Sequence, residues 1–197
     1  MRKIVLAALL GGALGWSGWA TPAHANKPVT GIAVASAPIV LWALFEEQPT
    51  TRDPDLLTVT GGWFDVVQQT DNAALFGLEY RSNLWVWKAK PFVGTIGTSE
   101  GSFYAYAGLR LDAYILKRFI ISTSLAPTFY ARGGGKDLGS AGVLRSGIEI
   151  GYRFDNQSQI GLAFHHMSHG KVFSNINPGV ETAEITYSIP LSKLFGK

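Results

Sequence analysis

The sequence predicts an all-β fold: an eight-stranded antiparallel transmembrane β-barrel with a polar, side-chain-filled interior. Three observations predict it. Of 197 residues, 47% are hydrophobic and only 16% charged, well below the roughly 25% charge of an ordinary soluble domain. From Leu57 onward the apolar residues recur with a period of two, the signature of strands with one apolar face. The other face carries Gly, Tyr and charges of both signs, which suits a narrow closed interior better than the Lys and Glu excess of a water-facing surface. Aromatic residues make up 12% of the chain, and that apolar content excludes disorder. The net charge of +3 comes without a basic stripe or arm, so nucleic acid is excluded as a partner. With no Cys, a disulfide framework, a thiolate metal cluster and a thiol nucleophile are all excluded.

The elements follow in chain order. Arg2 and Lys3 precede an apolar or small run from Ile4 to Ala20, and Ala23-His24-Ala25 supplies a small-x-small cleavage pattern. Residues 1–25 therefore read as a secretory signal peptide. Residues 26–56 form an N-terminal segment without an assigned placement. Its apolar run, Gly31 to Phe45, is too short to span a membrane as a helix and is broken by Pro38. Glu46 to Pro54 is polar and Pro-containing and reads as a linker. The barrel occupies 57–197.

Eight alternating segments lie near residues 57–67, 73–82, 84–95, 102–115, 118–130, 142–154, 158–168 and 180–190. The fourth separates Phe103, Ala105, Ala107, Leu109 and Leu111 from Tyr104, Tyr106, Gly108, Arg110 and Asp112. In the sixth, Leu144, Ile148, Ile150, Tyr152 and Phe154 oppose Arg145, Gly147, Glu149, Gly151 and Arg153. Across the segments the polar parity holds Glu79, Arg81, Arg110, Asp112, Arg145, Glu149, Arg153 and Glu184, four charges of each sign. Segments of about 10 residues, apolar outside and polar inside, are those of outer-membrane barrels, and eight strands enclose a lumen that side chains fill. A soluble sandwich or lipocalin-like barrel is the alternative for the same alternation. An even strand number puts both termini in the periplasm and turns the links after strands one, three, five and seven outward. The long links Ala131 to Ser140, with its Gly133-Gly134-Gly135-Lys136-Asp137 run, and His169 to Gly179 fit that side, and a short link, Arg81 to Asn83, fits the periplasmic side.

The chemistry-bearing residues gather at the outer end of the seventh segment, in Phe164-His165-His166-Met167-Ser168-His169. Ser168 follows His166 by two residues, so on a strand both share a face with Cα atoms about 6.6 Å apart. The parity of Ile160, Leu162 and Phe164 continues into His166 and Ser168, which places the pair on the lipid-facing side. In the eighth segment the parity of Ala183, Ile185 and Tyr187 carries Glu181 at its outer start. A carboxylate, an imidazole and a hydroxyl on one outward patch are the parts of a hydrolase triad, with Ser168 as nucleophile, His166 as general base and Glu181 orienting the imidazole. The plainer alternative is three interfacial polar residues capping two strands. A metal site is disfavoured: on a strand His165 and His169 are about 13 Å apart and face inward. They read as interior or loop residues hydrogen-bonded to barrel charges.

His166-Met167-Ser168, followed by Asn177-Pro178-Gly179-Val180-Glu181 at the start of the last strand, resembles the lipid A 3-O-deacylase family, PagL type. The barrel resemblance covers nearly all of the chain from Leu57, and the motif covers His166 to Glu181. The resemblance implies an outer-membrane carboxylic ester hydrolase that removes the 3-O acyl chain from the lipid A of lipopolysaccharide and needs no cofactor. It implies catalytic roles for Ser168, His166 and Glu181 and an oxyanion-binding role for Asn177. Here His169 stands where the family usually has Asn after the serine, and the serine-to-glutamate interval is one residue longer. The expected partners are the lipopolysaccharide substrate and the outer membrane, with homodimerisation left open. A non-enzymatic structural or adhesive barrel is the competing function.

Overall fold

The computed structural model describes Ala37, Leu41 and residues 53–115, 118–173 and 175–194. Residues 1–25, expected to be a signal peptide, and most of the 26–56 segment lie outside the described residues. Eight strands, β1 (Leu56–Phe64), β2 (Ala73–Arg81), β3 (Lys90–Thr98), β4 (Phe103–Ile115), β5 (Phe119–Ala131), β6 (Gly142–Arg153), β7 (Gln159–Ser168) and β8 (Val180–Pro190), are followed by one helical turn, α1 (Leu191–Leu194). Each strand pairs antiparallel with its sequence neighbour, and β1 pairs with β8 to close the barrel. Closure leaves no open edge for another chain to extend. At the seam, the hydroxyls of Thr58 and Ser188 bond across 2.8 Å inside the barrel. The links after β1, β3, β5 and β7 lie at one end, called upper below, and those after β2, β4 and β6 at the lower end.

The alternation read from the sequence sorts the side chains as expected. Val59, Trp63, Phe76, Leu78, Val93, Ile150, Leu162 and Ile185 project from the outer wall, which has the apolar character that lipid requires. All eight charges of the polar parity point inward. At mid-barrel Arg81 donates to Glu79 at 2.6 Å and forks onto both oxygens of Glu149 at 2.9 and 2.7 Å. Arg110 bonds Asp112 at 2.6 Å and Ser122 at 2.8 Å. Fixed guanidinium forks suit such pairing because two parallel bonds satisfy a carboxylate that water cannot reach. Above this layer Phe64, Tyr104, Tyr106 and Tyr130 pack with Leu75, Ile96 and Met167.

Two boundaries differ from the sequence reading. The third strand is not 84–95 but Lys90–Thr98, and the link before it runs from Ser82 to Ala89 in place of the short Arg81 to Asn83 turn. Leu84-Trp85-Val86-Trp87 has strand-like composition, yet it folds back through a single bridge between Val86 and Ala89, with Trp87 at a φ of 62°. The second difference is Asp53, placed in a linker by composition. Its buried carboxylate bonds Lys90, Tyr114 and Arg153 inside the lower mouth of the barrel. An acidic side chain there balances the two cations, one of which, Lys90, also donates to Asp112 at 3.1 Å.

Candidate functional site

The β7–β8 pairing sets His166 opposite Glu181 and Met167 opposite Val180. Because alternate residues face opposite sides, His166 and Glu181 share the outer wall with Ile160, Leu162 and Ile185. Unlike those neighbours they are covered: His166 is 2% exposed and Glu181 0%, against 67% for Leu162. His166 Nδ1 donates to Glu181 Oε1 at 2.8 Å. A carboxylate accepts, so in the neutral imidazole this bond keeps the proton on Nδ1 and puts the lone pair on Nε2. That Nε2 is buried and has no hydrogen-bond partner, and neither does Glu181 Oε2. An imidazole with its tautomer set and its basic nitrogen free has the form of a general base.

Ser168 ends β7 on the same outward face, half-buried, and pairs with Leu144 of β6. The structure thus joins His166 to Glu181 directly and sets Ser168 beside them on the wall without a hydrogen bond to His166. Asn177 lies in the β7–β8 link, where its Oδ1 accepts the backbone N–H of His169 at 3.2 Å. That bond engages the acceptor end of the amide and leaves Nδ2 as the donor end. His169 also donates from Nε2 to the carbonyl of Ile176 at 2.8 Å, so this one residue holds the link at two points. Gly179, at a φ of 68°, lets the chain turn from the link into β8 in a conformation that side chains resist. At the start of β8 the backbone N–H of Val66 donates to the carbonyl of Glu181 at 3.1 Å, so the β1–β2 link braces the strand that carries the carboxylate.

His165 points inward, as its parity requires. Its Nδ1 lies 3.1 Å from Glu184 Oε1 and 3.0 Å from Arg145 Nη2. Gly147 makes room for it, since a Cβ at that position would stand 2.0 Å from His165 Cδ2. His169 is a covered loop residue. His165 thus bonds barrel charges as read from the sequence, whereas His169 bonds the carbonyl of Ile176 and the amide of Asn177 in its own link instead of a barrel charge. The described residues hold no cluster of three or more His, Cys, Asp or Glu able to bind a metal ion. Sequence reasoning missed the role of His169 in holding Asn177 and Ile176. The hint was present in its place directly after Ser168, but the contact depends on how an eleven-residue link closes.

Fold and side-chain placement together define a small membrane β-barrel with a covered His–Glu pair on its outer wall and networks of paired charges within. The profile of the family described as "Lipid A 3-O-deacylase (PagL)" matches residues 63–190, and the chain belongs to that family. It is an outer-membrane β-barrel of the hydrolase class. Among solved structures it is similar to one described as "Crystal structure of the outer membrane enzyme PagL", with 17% identity and a TM-score of 0.56, covering 68% of this chain and 99% of the other. A structure from "De novo design of transmembrane beta-barrels" is also similar, at 8% identity and a TM-score of 0.53, with 72% and 98% covered. At these identities the structural likeness speaks for the fold. No curated protein matches the chain.

Proposed function

We propose that the protein hydrolyses the ester that links the 3-O acyl chain to the glucosamine of lipid A, using Ser168, His166 and Glu181 at the outer rim of the barrel. The observation that carries this reading is the buried 2.8 Å bond between His166 Nδ1 and Glu181, which leaves Nε2 free on the face that bears Ser168. Nε2 takes the proton of Ser168 as its Oγ attacks the ester carbonyl. The imidazolium that forms is stabilised by the Glu181 carboxylate, and the proton then passes to the departing sugar oxygen. Water hydrolyses the acyl-serine with His166 again as base. Asn177 Nδ2 stabilises the tetrahedral oxyanion. Catalytic hydrogen bonds commonly close only around bound substrate, and Ser168, which is half-buried, keeps a side open to the ester. With the links after β5 and β7 facing outward, the site meets the outer leaflet, and a lipid reaches it by lateral diffusion.

Mass spectrometry of lipid A from cells expressing the wild type and Ser168→Ala tests the reading. The wild type removes one ester-linked hydroxyacyl chain and the variant does not. If the alanine variant removes it equally well, or the wild type removes none, the protein is not this esterase.

A further inference from the structure

The glycine run Gly133-Gly134-Gly135 and the Lys136 that follows it have no part in the triad, yet they form the most tightly enclosed charged contact among the upper links. Gly134 N–H donates to the carbonyl of Glu100 at 3.0 Å, and a Cβ on Gly133 or Gly135 would meet Gly101 O at 2.1 Å or Ser102 Oγ at 2.2 Å. Only glycine lets the β5–β6 link lie this close on the β3–β4 turn. The Lys136 carbonyl accepts from Tyr130 Oη at 2.7 Å, and the side chain turns inward until it is 4% exposed.

Lys136 Nζ reaches across to the β1–β2 link. It donates to Asp65 Oδ1 at 2.6 Å and to Gln68 Oε1 at 3.0 Å. Asp65 is fully covered, and its Oδ2 accepts from Thr70 N, Thr70 Oγ1 and Asp71 N at 2.9, 2.9 and 3.0 Å. Burial by itself would raise this carboxyl. The Lys136 bond and the bonds from Asp71 and Thr70 outweigh it and hold the group below its ordinary value. Gln68 continues the path, donating from Nε2 to the carbonyl of Pro178 at 3.0 Å. The next residues along are Gly179, Val180 and Glu181, and Val66 of the same link holds the Glu181 carbonyl.

We propose that Lys136 is a positioning residue of the hydrolase: its buried ammonium organises Asp65 and Gln68 and through them fixes the segment Asn177–Glu181. This inference deepens the proposed function and rests on that reading for its catalytic consequence. His169 holds the segment on one side through Asn177 and Ile176, and the Lys136 relay holds it on the other. Without the ammonium, Asp65 loses its counter-charge and Gln68 loses the bond that orients its amide. Segment 177–181 then shifts relative to β7, and both the Glu181 carboxylate and the Asn177 amide lose their register against His166.

Lys136→Met, and Lys136→Met combined with Asp65→Asn, test the proposal. The double variant removes the pair without leaving a buried unpaired charge, so it separates positioning from stability. Both variants and the wild type are refolded in detergent micelles, and folding is followed by gel mobility before and after heating. The expected result is a fall in kcat of tenfold or more with KM within twofold of wild type, in the double variant as well as the single. Amide hydrogen exchange over 176–181 becomes faster while exchange in β2 to β5 stays unchanged. Recovery of the wild-type kcat in the folded double variant, a loss confined to KM, or unchanged exchange over 176–181 overturns the proposal. Ser168→Ala in the same assay isolates the other reading: full activity there rejects the Ser168 esterase, and hydrogen exchange, which needs no turnover, then decides the relay alone.

Discussion

Replacing Glu181 with alanine separates two consequences that usually travel together. The carboxylate is fully covered, and its one side-chain hydrogen bond is the 2.8 Å contact with His166 Nδ1, while Oε2 has no partner. A hydrogen bond to a charged group contributes about 1.5–3 kcal/mol, and the bond strengthens as His166 becomes an imidazolium in the transition state. At about 1.4 kcal/mol per tenfold, Glu181→Ala should lower kcat by roughly 10- to 150-fold and leave KM nearly unchanged, since the interaction is realised in the transition state. Stability should change little, because removing a buried carboxylate with one oxygen unsatisfied offsets part of the cost of leaving His166 Nδ1 without its partner. The assay is release of the hydroxy fatty acid from purified lipid A in micelles, normalised to the folded fraction, alongside a urea unfolding midpoint. A folded Glu181→Ala protein with kcat within threefold of wild type would refute the assignment of Glu181 as the group that orients His166.

Two further variants probe the two faces of the wall. Glu184→Ala, three residues on and facing inward, strips the Arg145 guanidinium of a partner held at 2.9 and 3.1 Å. It should cost about 3–5 kcal/mol of stability, as broken buried pairs do, read as a lower urea midpoint for the barrel in vesicles; an unchanged midpoint would contradict the pairing. Phe76→Arg, on an outer-wall residue that is 70% exposed, should cost up to about 2–4 kcal/mol near the bilayer midplane by the same titration. Insertion at wild-type stability would mean that this face does not meet lipid.

The barrel was largely legible because alternation is a local property: the charge at Arg145 or Glu149 declares its face through its immediate neighbours. The same holds for His166 and Glu181, each of which continues the apolar parity of its own strand and so lands on the outer wall. What local composition could not supply was pairing between distant segments. Leu84-Trp85-Val86-Trp87 has every residue preference of a strand, but the register of β3 puts Lys90 at its start, where the ammonium meets Asp53, Asp112 and Tyr114. Asp53 itself sits 37 residues from Lys90 and 100 from Arg153, and nothing beside it in the chain marks it as interior. Lys136 and Asp65 are 71 residues apart, and each alone is an ordinary loop charge. Their burial becomes visible only once the upper links have closed on one another.

The different surroundings of His165 and His166 support placing the proposed chemistry on the outside of this barrel. Consecutive residues of one strand, they meet opposite environments. His165 enters a lumen packed with Arg145, Glu184 and Glu149, where the pocket it lines offers about 10 Å³, too little for an acyl chain. Its nitrogen is already engaged by fixed charges. His166 lies on the outer wall with one carboxylate, an unpartnered Nε2 and a hydroxyl two residues away. A polar group on a lipid-facing wall is costly unless protein covers it or it lies near the interface. Here the upper end meets that condition, since Val66, Pro178 and the Lys136 relay draw three links together around the start of β8. If these links position His166 and Glu181 as proposed, loosening them should harm the acid–base pair before it harms the barrel.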